Sequence, residues 1–219
     1  SPSPSNIPLR LHLVMDSDNW GGAGAIPYCV HDGQVLFLLQ ETKGGKKEGK
    51  LVDFGGGRKP DVDKDIVVCG AREFTEETAG LLTSASVEQD CLEMDSLDFH
   101  GIEECDSVKR EVENCLTLFR HAKEQGLVWH SDLKKAKFYA SFAVQIKHSD
   151  LKAQNTFFGR ASAKKVRVLQ WVPADVLLSL IKLKKGDTIP NWLPLHGRMF
   201  CLTNLAPLIK HIVSLHTKV

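Results

Sequence analysis

The segment 72–77, Arg-Glu-Phe-Thr-Glu-Glu, places three carboxylates at a spacing that strongly constrains the local fold. Glu73, Glu76 and Glu77 stand at positions i, i+3 and i+4, which lie on one face of an α-helix. Like charges at this spacing repel one another by about 0.2–0.5 kcal/mol per pair, so a bound cation would stabilise them. Hard cations such as Mg²⁺ take oxygen ligands and keep open positions for substrate phosphates. The segment therefore predicts a helix that serves as a metal platform for phosphate chemistry.

A glycine run lies just upstream of this segment. Gly55, Gly56 and Gly57 follow the mostly apolar segment 51–54, which we predict to form a short strand. The helix is predicted over 63–79, with an aspartate as its N-cap and a glycine directly after its end. A strand, a glycine run and the acidic helix are thus predicted to follow one another directly.

At these residues the sequence resembles the Nudix hydrolase family. The family signature is a glycine, five residues, Glu, seven residues, then Arg-Glu-hydrophobic-any-Glu-Glu-any-Gly-hydrophobic. Arg72, Glu73, Phe74, Glu76 and Glu77 match it directly. The resemblance implies an α+β fold, a Nudix-type α/β/α sandwich with a mixed central sheet and a helical insertion after the Nudix helix. It also implies a Mg²⁺- or Mn²⁺-dependent pyrophosphohydrolase, a hydrolase acting on acid anhydrides.

The resemblance also implies roles for individual residues. Glu73, Glu76 and Glu77 would ligate the divalent metal and act in catalysis. Arg72 would hold a carboxylate in place through charge-assisted hydrogen bonds. The backbone of the glycine run at 55–57 would lie close to substrate phosphate, where a side chain would collide.

The match departs from the signature in the loop before the helix and at the helix end. Lys64 stands in the place of the first signature Glu, and the loop is one residue longer than the pattern. Asp63 or Asp65 would replace the missing acid, as a helix N-cap or a weak outer ligand. Ala79 stands where the last signature glycine belongs, with Gly80 one place later. These departures leave the three glutamates intact and bear on loop geometry and rate.

A general base would complete the chemistry by accepting a proton from the attacking water. In this family it is either a signature carboxylate or a Glu outside the signature. Glu77 is the first choice, and the alternatives in the insertion are Glu103, Glu104, Glu111 and Glu113.

Basic clusters would hold the polyphosphate or the group attached to it, although each also fits a solvated surface. The clusters are Lys43, Lys46, Lys47 and Lys50; Arg160, Lys164, Lys165 and Arg167; and Lys182, Lys184 and Lys185. Phosphate contacts are predicted for Lys47, Arg160, Lys164 and Lys165, together with Arg58 next to the glycine run.

Aromatic residues near these clusters are candidates for stacking on a nucleobase. Phe157 and Phe158 precede the second basic cluster, and Trp20 stands beside two glycines. Two neighbouring phenylalanines also fit a core position, so both interpretations stay open. The segment 110–114 imitates the signature but lacks the Glu-Glu pair and the upstream glycines, so we predict an exposed helix face there.

The rest of the chain predicts strands and helices in mixed order. Strands are predicted over 9–15, 25–30, 34–41, 138–147 and 166–172, with turns at 20–24 and 31–33, and helices over 106–125, 174–182 and 198–216. Residues 1–8 are Ser/Pro-rich and predicted to be disordered, and 9–219 would form a single domain with an insertion at about 84–136.

The composition limits which binding partners and which cellular compartment we expect for the protein. A net charge of +1 provides no global field that would select nucleic acid or membrane, and no apolar run is long enough to span a bilayer. Six cysteines with no paired spacing predict free thiols in an intracellular, reducing compartment. The chain begins at Ser1, which is compatible with a removed transit peptide.

The substrate follows only from analogy within the family. We favour a nucleotide 5′-polyphosphate, above all the 5′-triphosphate end of RNA, with a protein partner in an RNA-processing complex and a mitochondrial location. The triple glycine resembles the diphosphoinositol and dinucleoside polyphosphate branch, which is an alternative. The other alternative is a catalytically weak module that binds RNA or nucleotide within a larger complex.

Overall fold

The structure is a computed structural model, and the residues it describes are 19–44, 48–78, 80, 82, 106–131, 137–152, 154–155, 166–184 and 187–217. Within these ranges the strands are β1 (Trp20–His31), β2 (Gln34–Lys43), β3 (Leu51–Val52), β4 (Phe54–Gly57), β5 (Val128–His130), β6 (Phe138–Gln145) and β7 (Val166–Pro173). The helices are α1 (Ile66–Thr78), α2 (Asp106–Glu124), α3 (Ala174–Lys182), α4 (Gly197–Phe200) and α5 (Leu205–His216). The predicted disordered segment 1–8 and the strand at 9–15 lie outside the described residues.

The central strand β1 organises a mixed sheet. One edge of β1 pairs in parallel with β6, and the other pairs antiparallel with β4 and then β2. β2 also pairs antiparallel with β3 and β7, and β5 pairs antiparallel with β6. Because the sheet mixes both directions and packs against helices, the predicted α+β class with a mixed central sheet is confirmed.

The hairpin between β1 and β2 forms where the sequence predicts it. Asp32 and Gly33 have φ angles of 48° and 73°, and the strands pair from His31 with Gln34 onward. Two central residues with positive φ are the requirement of a type I′ turn, whose twist matches that of the flanking strands.

The chain after the hairpin changes its pairing partner at Asp53, a point that we call the fork at Asp53. Before this residue β3 pairs with β2, and after it β4 pairs with β1, in a register that sets Gly24 opposite Gly55. A Cβ on Gly24 would lie 2.1 Å from the Phe54 carbonyl oxygen, so the close approach of the two backbones requires glycine. The prediction of a glycine-rich turn at 20–24 is therefore wrong, because these glycines build a tightly packed strand pair.

Helices α1 and α2 pack together and against β1, β4 and β6. An aromatic chain joins them to the sheet, with ring centroids 6.0 Å apart from Phe74 to Phe119 and 5.3 Å apart from Phe119 to Phe142. A Cβ on Gly70 would lie 2.8 Å from the Phe119 ring, so this glycine lets the two helices come close. Each buried aromatic ring contributes about 1.5–3 kcal/mol through removal from water, which anchors α1 on the sheet.

The C-terminal segment is two helices, whereas the sequence predicts one over 198–216. Between α4 and α5 the side chain of Asn204 accepts from the His130 amide at 3.1 Å and donates to the Val128 carbonyl at 3.0 Å. These bonds to β5 compete with helix continuation. β5, which lies inside the range predicted as insertion, belongs to the sheet through its pairing with β6.

Helices α3 and α5 contact each other, and each also contacts β2. α2 and α3 form as predicted from the sequence. Within the described part of the chain no helix is long and apolar enough to cross a membrane. Cys29, Cys69 and Cys115 are buried and Cys201 is exposed, and Cys91 and Cys105 lie outside the described residues.

Candidate active site

Asp63 and Asp65, which precede α1, have different roles, and the sequence alone does not say which of them caps the helix. Asp65 caps the helix, because its Oδ1 accepts from the amides of Val67 at 2.8 Å and Val68 at 2.9 Å. Asp63 is buried and accepts from the Lys59 amide at 2.6 Å. Asp65 is therefore the N-cap, and Asp63 faces the interior of the site.

Arg72 joins three carboxylates with one guanidinium group. Its Nε donates to Asp63 Oδ1 at 2.8 Å and its Nη2 to Asp63 Oδ2 at 2.9 Å, the bidentate geometry of a strong ion pair. Its Nη1 donates to Glu73 Oε1 at 3.0 Å and to Glu76 Oε2 at 2.9 Å, and Nη2 also reaches the Gly57 carbonyl at 3.1 Å. Arg72 thus fixes two of the three glutamates relative to the glycine run.

Burial and neighbouring groups shift the pKa values of Arg72 and Asp63. Burial opposes the charge of Arg72, but the hydrogen bond to Asp63 and the charges of Glu73 and Glu76 raise its pKa above the usual value. Burial alone would raise the pKa of the Asp63 carboxyl, yet hydrogen bonds from Arg72 and from the Lys59 amide lower it. Asp63 and Arg72 therefore form a stable buried ion pair.

Glu73 lies directly over the glycine run. A Cβ added to Gly56 would lie 2.4 Å from Glu73 Oε2, so any larger residue at position 56 would displace this carboxylate. Burial raises the pKa of Glu73 to about 7, Arg72 opposes the rise, and the charges of Glu77 and Glu76 add to it. The absence of a side chain at position 56 leaves room for the Glu73 carboxylate, and the approach of substrate phosphate to this backbone stays a prediction.

Glu77 points into the sheet and is held by donors from three strands. Its Oε2 accepts from the Gly55 amide at 2.7 Å and from Gln40 Nε2 at 2.6 Å, and its Oε1 pairs with Arg167 Nη1 at 2.9 Å. Arg167 also donates to Gln40 Oε1 at 2.5 Å. Gln40 is not predicted from the sequence, where its signal is a polar residue directly after the apolar run 35–39 of β2.

Glu76 is the third glutamate, and its side chain is as exposed as that of Glu73. It pairs with Arg72 and with Lys59, whose Nζ lies 3.1 Å from Glu76 Oε1 and is about half exposed. Each of the three glutamates therefore meets a cationic side chain in this structure.

The donor set is chemically suited to Mg²⁺. Among the described residues no three Asp, Glu, His or Cys side chains stand close enough together to hold a metal ion. The three carboxylates nevertheless supply hard oxygen ligands, and their mutual repulsion, which contributes to the raised pKa of Glu73, is what a divalent cation relieves. Arg72, Lys59 and Arg167 provide the compensating charge here.

A second buried polar network lies behind the glycine run and was not predicted. The fully buried Asp53 accepts from Tyr139 Oη at 2.7 Å and Ser141 Oγ at 3.0 Å, and pairs with Arg198 at 2.7 Å. Its only sequence signal is an acidic residue between the apolar Val52 and Phe54.

Trp20 is only 5% exposed, and the Arg58 guanidinium lies 4.3 Å from its ring centroid. A base would therefore reach the Trp20 ring only after displacing Arg58. Several predicted contact residues lie outside the described residues, namely Lys47, Phe157, Phe158, Arg160, Lys164 and Lys165.

The alternative candidates for the general base lie either outside the described residues or on α2. Glu103 and Glu104 lie outside the described residues. Glu111 is buried and accepts from Asn114 at 2.9 Å, so the predicted exposed face of the look-alike segment is wrong at this position, because Glu111 turns toward the interior of the protein. Glu113 is exposed as predicted.

No protein-family model matches the sequence, and no curated protein matches it. Among solved structures the chain is similar to the Nudix hydrolase RenU from M. smegmatis, with 11% identity and a TM-score of 0.43 over 91% of this chain and 90% of that one. A Nudix hydrolase from Alicyclobacillus acidocaldarius gives 14% identity and a TM-score of 0.44 over 91% and 97%. Shewanella oneidensis NrtR, complexed with a 27mer DNA, gives 13% identity and a TM-score of 0.41, and the chain spans 89% of its own length and 62% of NrtR.

Proposed function

We propose that this protein is a divalent-metal-dependent pyrophosphohydrolase of the Nudix type that cleaves a phosphoanhydride in a nucleotide 5′-polyphosphate. The observation that carries the proposal is the way Arg72 ties Asp63, Glu73 and Glu76 together beside the Gly56 backbone. An acidic helix face that merely meets water has no need of a buried arginine or of a glycine beneath one carboxylate.

Glu73, Glu76 and Glu77 would hold the Mg²⁺ or Mn²⁺ ion. When bound, such an ion lowers the pKa of a water ligand and neutralises phosphate oxygens. Arg72 orients Glu73 and Glu76 toward the glycine run, and Lys59, which pairs with Glu76, would give up this carboxylate to a bound cation. The chain thus supplies the ligands, their orientation and an exchangeable internal counter-charge.

Glu77 is the proposed general base. Its Oε2 already accepts two hydrogen bonds, from Gly55 and Gln40, which uses both lone pairs of that oxygen. Oε1 pairs with Arg167 and keeps one further acceptor site, which would take either the metal ion or, when Glu77 acts as the base, the proton of the attacking water.

The favoured substrate is the 5′-triphosphate end of RNA. Arg58 stands at the edge of the glycine run, where its amide donates to the Gly21 carbonyl at 3.0 Å, and would contact the phosphate chain. In its most specific form, the proposal is that the protein is a counterpart of the Nudix subunit of the kinetoplastid mitochondrial edited mRNA stability factor. Such a counterpart would act on an RNA end, in the mitochondrion, with a protein partner in an RNA-processing complex.

Phosphate release from a substrate panel tests the proposal. The purified protein is incubated with Mg²⁺ or Mn²⁺ and 5′-triphosphorylated RNA, nucleoside triphosphates, dinucleoside polyphosphates or diphosphoinositol phosphates, and phosphate and pyrophosphate are measured. We expect release from RNA ends, with kcat lowered by about 10²-fold or more in Glu76→Gln and Glu77→Gln because each loses a metal ligand. Glu124→Gln, at an exposed glutamate at the end of α2 to which no role is assigned, is the matched control.

Other outcomes identify the alternatives. Release from diphosphoinositol or dinucleoside substrates alone would move the substrate to that branch. RNA binding without release from any compound would indicate a catalytically weak binding module, an alternative favoured by the cationic side chains that already meet all three glutamates. Near-normal turnover in both glutamine variants would refute the metal assignment.

A further inference from the structure

We propose that Arg198, far from the signature in sequence, is a positioning residue that fixes the backbone at the fork at Asp53. Through the backbone of Gly55 it also fixes the carboxylate of Glu77. Its consequence for metal binding rests on the proposed function, whereas its effect on the Gly55 backbone does not.

Arg198 reaches the fork from α4 with all three of its guanidinium nitrogens. Nε donates to Asp53 Oδ1 at 2.7 Å, Nη2 to the Asp53 carbonyl at 3.0 Å, and Nη1 to the Gly55 carbonyl at 2.7 Å. The planar guanidinium group of an arginine can make these three bonds together, and the ammonium group of a lysine cannot. One side chain therefore holds two carbonyls and one carboxylate of the chain that joins β3 to β4.

The carboxylate that anchors Arg198 is itself anchored from β6. Asp53 Oδ2 accepts from Tyr139 Oη at 2.7 Å and from Ser141 Oγ at 3.0 Å, and Asp53 has no exposed surface. The Arg198 guanidinium also lies 5.2 Å from the Tyr139 ring centroid. The position of Arg198 is thus determined by the sheet rather than by solvent.

The Gly55 residue transmits this position to the active site. Its carbonyl accepts from Arg198, and its amide donates to Glu77 Oε2 at 2.7 Å. The second donor to the same oxygen, Gln40 Nε2, also donates to the Asp53 carbonyl at 3.1 Å. Both neutral donors to Glu77 Oε2 are therefore attached to the segment that Arg198 holds.

Charge and positioning predict opposite effects on metal affinity. The charge of Glu77 raises the pKa of Arg198, which shows that the two groups interact, so the positive charge of Arg198 by itself opposes a cation bound at Glu77. If Arg198 were only a nearby charge, its removal would tighten metal binding. If it positions Gly55, removal would weaken metal binding, and a lysine that keeps the charge would weaken it as well.

Mn²⁺ titration monitored by electron paramagnetic resonance distinguishes these cases. We expect Arg198→Gln and Arg198→Lys each to raise the Kd for Mn²⁺ about tenfold, and Arg120→Gln, an exposed arginine on α2, to leave it unchanged. Tighter binding in Arg198→Gln with unchanged binding in Arg198→Lys would overturn the proposal. If the Arg198 variants do not fold, Tyr139→Phe removes one hydrogen bond from Asp53, and an unchanged Kd in that folded variant would overturn it as well.

Hydrogen exchange of the Gly55 amide separates this proposal from the proposed function, because it needs no metal. We expect exchange at Gly55 to accelerate at least tenfold in Arg198→Lys or, if that variant does not fold, in Tyr139→Phe. If the wild type does not bind Mn²⁺, the proposed function is refuted. The exchange rate of the Gly55 amide then still tests the positioning role of Arg198. Unchanged protection of Gly55 in the folded variant would refute the positioning role.

Discussion

Replacing Asp63 by Asn breaks the ion pair on which the glutamate arrangement depends. Asp63 and Arg72 are both buried and share two hydrogen bonds, at 2.8 and 2.9 Å. Removing one partner of a buried pair costs about 3–5 kcal/mol. Asn keeps one oxygen acceptor and Arg72 keeps Glu73 and Glu76, so we expect a loss of about 2–3 kcal/mol in the free energy of unfolding.

Urea unfolding and thermal melts measure this loss. For a chain of this size about 1 kcal/mol shifts the Tm by about 2–4 °C, so Asp63→Asn should lower it by about 4–12 °C. Asp65→Asn is the matched control, because Asn caps a helix about as well as Asp and should change stability by no more than about 0.5 kcal/mol. Equal losses in the two variants would refute the role assigned to Asp63.

The same carboxyl makes the effect dependent on pH. The folded-state pKa of Asp63 lies below its unfolded value, so its stabilising contribution is complete above the unfolded pKa of about 3.9 and is lost as pH falls through the folded value. We therefore expect the stability difference between wild type and Asp63→Asn to be constant near pH 7 and to shrink in acid. A difference that grows on acidification would contradict the sign of the shift.

Two further variants probe other parts of the structure. In Gly56→Ala the new Cβ would lie 2.4 Å from Glu73 Oε2, so we expect phosphate release to fall at least tenfold, whereas Gly197→Ala, whose Cβ would meet nothing within 4 Å, should keep its activity. Equal activities would show that Glu73 tolerates displacement. Asn204→Ala removes both side-chain bonds to β5 and should cost about 1–3 kcal/mol in urea unfolding, with exposed Ser214→Ala as a near-neutral control. A loss no larger than that of the control would contradict the role of Asn204 in ending the helix.

The local elements around the signature were predictable because each depends on neighbouring residues. Helical spacing places the three glutamates on α1, and Asp-Gly predicts the β1–β2 turn. The sequence could not choose between Asp63 and Asp65, because both are suitable acids within three residues of the helix start. Only the folded loop shows that one caps the helix and the other pairs with Arg72.

The residues that hold the site in place come from far along the chain and carry no local pattern. Arg198 is 145 residues from Asp53, and Arg167 is 127 residues from Gln40. The break between α4 and α5 was hidden for a related reason. Apolar residues continue at helical spacing through Leu202 and Leu205, and the side-chain bonds of Asn204 that end the helix reach a distant strand.

The central claim is that Glu73, Glu76 and Glu77 together hold a divalent cation in front of the glycine run. Anomalous diffraction from crystals soaked in millimolar Mn²⁺ examines this directly, because it locates the ion without reference to any substrate. We predict a peak within coordination distance of these carboxylates, with Glu76 released from Lys59. No peak among the three carboxylates, with the Lys59–Glu76 pair intact, would contradict the claim.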